Sequence, residues 1–103
     1  MNDAKFGLKN GDLAIIIQVL RQYPEIETAI IFGSRAKGNY KNGSDIDIAL
    51  KGNISFRTIA DCKFMLDEET ILPYRFDLLD YNTLKNEELK AHIDRVGVVF
   101  YAR

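Results

Sequence analysis

The sequence predicts an α/β (α+β) sandwich in which helices pack mainly on one face, the core face, of a central sheet. Three observations carry this. Helical and strand patterns alternate along the chain, the arrangement that builds layered α/β folds. Residues 29–32, Ala-Ile-Ile-Phe, are apolar on both faces and read as part of a central strand. Residues 45–50 and 74–80 alternate with the period of two that marks a half-buried strand.

The elements follow in order. Residues 1–11 are polar, and Asp12 can cap the helix that follows. Leu13, Ile16, Ile17, Leu20 and Tyr23 form one helical stripe, widened by Ile15 and Val19, and Pro24 stops it. The first strand is 28–32. Gly33-Ser34 then opens a short helical turn over 34–37, and 38–44 is a loop rich in Gly, Asn and Lys. In the second strand, 45–50, Asp45, Asp47 and Ala49 share one face, and Ile46, Ile48 and Leu50 the other. Ser55 is placed to cap a helix over 56–70, with Phe56, Ile59, Ala60, Phe64 and Leu66 as its stripe, Cys62 at the core margin and Met65 near the far side. In the third strand, 74–80, Tyr74, Phe76 and Leu78 face the core, and Arg75, Asp77 and Leu79 face away. Asn82 or Thr83 can cap a last helix to Arg95, with Leu89, Ile93 and Val96 as its apolar side. Gly97 ends it, and 98–101 reads as a short edge strand.

Composition narrows the class. A chain of 103 residues has room for one domain, 1–103, with its own core. A net charge of −1 argues against direct binding to nucleic acid, which usually brings a basic excess. The single cysteine, Cys62, forms no internal disulfide and fits a reducing compartment. No apolar run approaches the ~20 residues of a membrane span, and 1–12 lack a signal-peptide core. The expectation is a soluble cytoplasmic protein that does not bind membranes.

The chemistry concentrates in 29–50. Two carboxylates at i and i+2 on a strand project side by side, a spacing suited to shared coordination of a divalent ion by hard oxygens. A third carboxylate from a neighbouring strand would complete a two-metal site for phosphoryl displacement. Asp77 is the candidate, since alternation puts Asp80 on the core side at the strand end, where it starts a turn. Gly33 permits close backbone approach, and the N–H groups and hydroxyl at Gly33-Ser34 can receive phosphate. Arg35 and Lys37 lie just beyond, within reach of a triphosphate, and Lys41 sits in the solvated loop. His92 falls on the polar flank of the last helix and reads as a surface residue. One His and one Cys give no zinc set. Met65, Tyr81 and Tyr101 are the residues that could belong to a partner surface. Other users of a DxD pair fit less well: a haloacid dehalogenase or a glycosyltransferase wants a longer chain, and a TOPRIM domain wants a Glu where Gly33-Ser34 stands.

Gly33-Ser34, ten residues, then Asp45-x-Asp47 resembles the signature of the DNA polymerase beta-type nucleotidyltransferase superfamily. GSRAKG…SDIDIAL, with FDLLD and the terminal GVVFY, is similar to its minimal MNT members, which are commonly paired with a helical HEPN protein as toxin and antitoxin. The resemblance implies a polymerase beta-like nucleotidyltransferase fold, with a mixed central sheet and helices packed mainly on one face, and transfer of a nucleoside monophosphate with Mg2+. Asp45, Asp47 and Asp77 then match the catalytic metal ligands, and Gly33 and Ser34, with Arg35, the nucleotide-binding turn. For an MNT antitoxin it further implies ATP as donor and adenylylation of a HEPN RNase toxin as the acceptor step, in a hetero-oligomer. A small-molecule acceptor completed by a helical subunit, and a toxin-binding module without catalysis, are the alternatives.

Overall fold

The computed structural model describes residues 2–103. After a 3-10 turn at Asp3–Phe6 come α1 (Asp12–Leu20), β1 (Ile26–Phe32), α2 (Gly33–Lys37), β2 (Ile46–Gly52), α3 (Phe56–Glu68), β3 (Phe76–Asp80), a second 3-10 turn (Tyr81–Thr83), α4 (Glu87–Val96) and β4 (Val98–Ala102). The strands form one sheet in the order β3-β2-β1-β4. β1 pairs antiparallel with both β2 and β4, and β2 pairs parallel with β3, so the sheet is mixed.

Strand alternation divides the sheet into two unequal faces. Ala29 and Ile31 of β1 join Ile46, Ile48 and Leu50 of β2 and Phe76 and Leu78 of β3 under α1 and α3, in the main core. Each wholly buried Ile or Leu there is worth about 1.5–3 kcal/mol of transfer free energy. On the other face Ile30, Phe32 and Ala49 pack with Ile93 of α4 in a small second core, flanked by Leu79, Leu84 and Leu89. The larger core and two of the helices thus lie on one side, and α4 covers only part of the other. Asp45 and Asp77 stay exposed beside that second core, and Asp47 half-buried.

Several local expectations change. Asp12 is the first residue of α1, not its cap: Gly11 holds that position, and the Asp12 carboxylate accepts from Lys9 N–H at 2.9 Å and Tyr74 O–H at 2.5 Å. Tyr23 lies beyond α1 and donates its O–H to Asp61 of α3 at 2.6 Å. Ser55 does cap α3, accepting from Thr58 N–H at 3.1 Å. The buried side of α3, however, is Thr58, Cys62 and Leu66, with Ile59 and Met65 packed beside them. Phe56 and Phe64, placed in the core by the sequence pattern, are 87% and 54% exposed. Two phenylalanines drew the predicted stripe about a third of a turn away from the smaller residues that meet the sheet. Asn86, not Asn82 or Thr83, caps α4, accepting from Leu89 N–H at 3.1 Å. Asp80 starts the 3-10 turn instead, accepting from Asn82 N–H at 3.0 Å.

Cys62 is fully buried, and burial pushes its thiol up to about 12. A thiol so rarely ionised is a poor nucleophile. Iodoacetamide is therefore expected to leave the native protein unlabelled and to modify it on addition of denaturant, as intact mass will record.

Candidate active site

The carboxylates are set by sheet register. Asp47 of β2 and Asp77 of β3 are direct partners in the parallel ladder, so their side chains leave the same face from strands about 4.8 Å apart. Asp45 immediately precedes β2, one residue before the strand begins. Asp77 lies on the exposed side of β3, between Phe76 and Leu78, which enter the core. Asp80, three residues on, is occupied by its turn.

The turn after β1 closes the site from the other side. Phe32 is partnered with Asp47 across the β1–β2 ladder, and Gly33 follows with φ of 73°, a left-handed conformation that favours glycine. A Cβ at Gly33 would run into the Asp47 carboxylate. Glycine is thus required twice, for the bend and for the close approach. Ser34 follows in the first turn of α2, half-buried beside it.

Electrostatics mark Asp47. Its pKa is pushed up to about 6, first by burial and then by the negative charges of Asp77 and Asp45, with Arg35 pulling the other way. Three carboxylates without a counter-charge are unfavourable, and a bound cation relieves that repulsion. Their hard oxygens suit a divalent ion such as Mg2+. The side chains share a face without closing on one point: among the described residues no three acidic, His or Cys groups form a ready ligand set.

Arg35, expected among the nucleotide-binding residues, instead directs its side-chain donors into the fold. It is only 3% exposed. Its Nε and Nη2 donate to the Ser44 carbonyl at 3.0 and 2.7 Å, and Nη1 donates to the carbonyls of Phe6 and Gly7 at 2.9 and 3.3 Å. The rings of Tyr40 and Tyr74 flank it at 5.5 and 5.2 Å. With its donors spent on carbonyls, Arg35 braces the loop that leads into Asp45. Lys37, at the exposed end of α2, remains solvated.

His92 is the residue that sequence reasoning misplaced. It is half-buried, edge-on to Phe32 with ring centroids 6.2 Å apart, and its Nε2 accepts from Gly33 N–H at 3.3 Å. Helix α4 therefore holds the Gly33 turn in place. The two residues lie 59 apart in sequence, and no local pattern links them.

Residues 15–103 match the family described as Polymerase beta, Nucleotidyltransferase. The chain is 35% identical, over 97 residues, to a probable protein adenylyltransferase MntA of Haemophilus influenzae, covering 93% of this chain and 84% of that protein. A crystal structure of a toxin–antitoxin with AMP-PNP superposes with a TM-score of 0.75 at 23% identity, covering 89% of this chain and 74% of that one. A tri-AMPylated Shewanella oneidensis HEPN toxin in complex with MNT antitoxin gives 0.67 at 21% identity, covering 88% and 70%. At these identities the two structures show the shared fold. The Gly-Ser turn, Asp45, Asp47 of β2 and Asp77 of β3 all fall within the matched residues, and the chain belongs to the polymerase beta nucleotidyltransferase family.

Proposed function

We propose that this nucleotidyltransferase moves AMP from ATP onto a HEPN-type helical toxin, with Mg2+, and so serves as that toxin's antitoxin. The observation that carries the reading is the register of Asp47 with Asp77 beside Gly33, which sets carboxylates and a backbone phosphate turn on one open face. The similarity to an MntA adenylyltransferase and to toxin–antitoxin assemblies supports protein as the acceptor.

Asp45, Asp47 and Asp77 would hold the metal. When bound, it neutralises charge on the phosphates and on the oxygens that attack and leave. With the Gly33 N–H engaged by His92, the Ser34 N–H and hydroxyl in the first turn of α2 hold the phosphate tail and line up its α-phosphorus. Asp77 takes the proton from the acceptor hydroxyl as its oxygen bonds to that phosphorus. The bond between the α-phosphorus and the bridging oxygen breaks, and pyrophosphate leaves with the electron pair.

Two measurements test the reading. With the partner toxin, Mg2+ and ATP labelled at the α- or the γ-phosphate, only the α label is expected on the partner; γ label there means phosphorylation and contradicts it. Separately, Mg2+ is expected to raise the melting temperature of the wild type by relieving carboxylate repulsion. Asp45→Asn/Asp47→Asn is expected to lose that response, and an equal rise in both proteins would remove the carboxylates as the metal site.

A further inference from the structure

A cleft of about 450 Å3 opens at the end of the sheet where β2 and β3 begin, next to the carboxylates but not formed by them. Ser44, the residue before Asp45, is on its wall, as is Arg75, two residues before Asp77. Lys9, Lys41 and Arg75 surround the opening, and no acidic residue lines it. All three cations are exposed. Among the described residues the one ion pair is Lys63 with Asp67, so the three have no carboxylate partner. In a chain of net charge −1 this is a local excess of positive charge, and the carboxylate bonded to its walls, Asp12, is already engaged by Lys9 N–H and Tyr74 O–H.

The walls add a second kind of recognition. Tyr40 and Tyr74 line the same cleft, each half-buried, and each ring packs on the buried Arg35 guanidinium, at 5.5 and 5.2 Å. Aromatic walls with cations at the mouth suit a planar base joined to a phosphate, since ring stacking is tolerant of base identity and cations take the phosphate oxygens. The volume is that of a small-ligand pocket, too short for an extended chain. Lys9 and Gly7 precede residue 15, where the family match begins, so part of the cleft lies outside the shared nucleotidyltransferase core.

We propose that this cleft is a second site, binding a nucleoside 5′-monophosphate without metal, separate from the donor site at the carboxylates. The ligand chemistry is the same whether the monophosphate is free in solution or is the group already transferred to an acceptor. The second source rests on the transfer reaction proposed above; the site itself does not.

Calorimetric titration of AMP into the full chain in EDTA tests it, because the carboxylates then have no ion to bring phosphate to them. Binding is expected for wild type and for Asp45→Asn/Asp47→Asn. It is expected to weaken on the order of tenfold or more in Lys41→Glu/Arg75→Glu, whose exposed side chains leave the fold intact by circular dichroism and thermal melting. No binding in EDTA, binding indifferent to the charge reversal, or inorganic phosphate binding as tightly as AMP would overturn the assignment. A second arm compares unmodified with adenylylated partner toxin. Tighter binding of the adenylylated form, lost in Lys41→Glu/Arg75→Glu, identifies the acceptor-borne group as the ligand. Equal binding of the two forms, with AMP binding retained, identifies the free nucleotide.

Discussion

Asp47→Asn is expected to lower nucleotidyl transfer by a factor on the order of 10^3 or more, and at the same time to make the metal-free protein more stable at pH 7. The loss follows from removing a charged ligand, since metal stabilisation of transition-state charge is worth several kcal/mol. The gain follows from the pKa. The Asp47 carboxyl in the folded protein is raised from its ordinary value near 3.8 to about 6 by burial, Asp77 and Asp45. The fold therefore prefers the protonated form. Stability from this group is present at low pH and is lost as pH rises from about 3.8 through about 6. Asparagine stands in for the protonated acid and removes the penalty. The carboxylates are partly in water, which screens them. The gain in melting temperature is thus expected at or below the roughly 4–8 °C that 1 kcal/mol gives a domain of this size. Thermal melts in EDTA at pH 5 and pH 7.5 check it: the variant's advantage should appear at pH 7.5 and shrink at pH 5. An advantage that grows toward pH 5 would have the wrong sign.

Arg35→Ala is expected to be the most destabilising single change near the site, by about 3 kcal/mol. It leaves the carbonyls of Phe6, Gly7 and Ser44 without their charged donor and removes the guanidinium from between Tyr40 and Tyr74. Hydrogen bonds to charged groups contribute about 1.5–3 kcal/mol each, and bonds sharing one side chain do not add fully. A fall in melting temperature of more than about 10 °C corresponds to that loss. Arg35→Lys is expected to recover little, because an ammonium cannot reach carbonyls on two segments in the fixed fork of a guanidinium. If Arg35 held triphosphate instead, both variants would melt like wild type and only the KM for ATP would rise.

These two residues show what local sequence can and cannot carry. Asp45, Asp47 and Asp77 could be paired because period-two alternation fixes which residues share a sheet face, and both strands declare that alternation. The apolar run of β1 and the Gly-Ser break after it were equally legible. Arg35 was not, because its partners at Phe6 and Gly7 lie at the end of a short 3-10 turn that carries no helical or strand periodicity. His92 was not, because a polar residue on a helix flank looks solvated until α4 is packed against the end of β1. The phase of α3 failed for another reason. Hydrophobic weight favoured Phe56 and Phe64, whereas the surface that fits against the sheet is made by Thr58, Cys62 and Leu66. Packing next to α1 decides that face, and periodicity alone does not see it.

The Gly33 turn ties these observations together. Its amide is held by His92, its missing side chain admits the Asp47 carboxylate, and Asp47 faces Asp77 across the ladder. The site is thus assembled by contacts from α4, β1, β2 and β3, while the loop before Asp45 is anchored by Arg35.

Intact mass of the partner toxin after incubation with this protein, ATP and Mg2+ tests the central claim most directly. Increments of ~329 Da, the mass of a transferred AMP moiety, are expected with wild type and not with Asp47→Asn. A partner of unchanged mass with wild type, under conditions in which the two proteins bind, would contradict it.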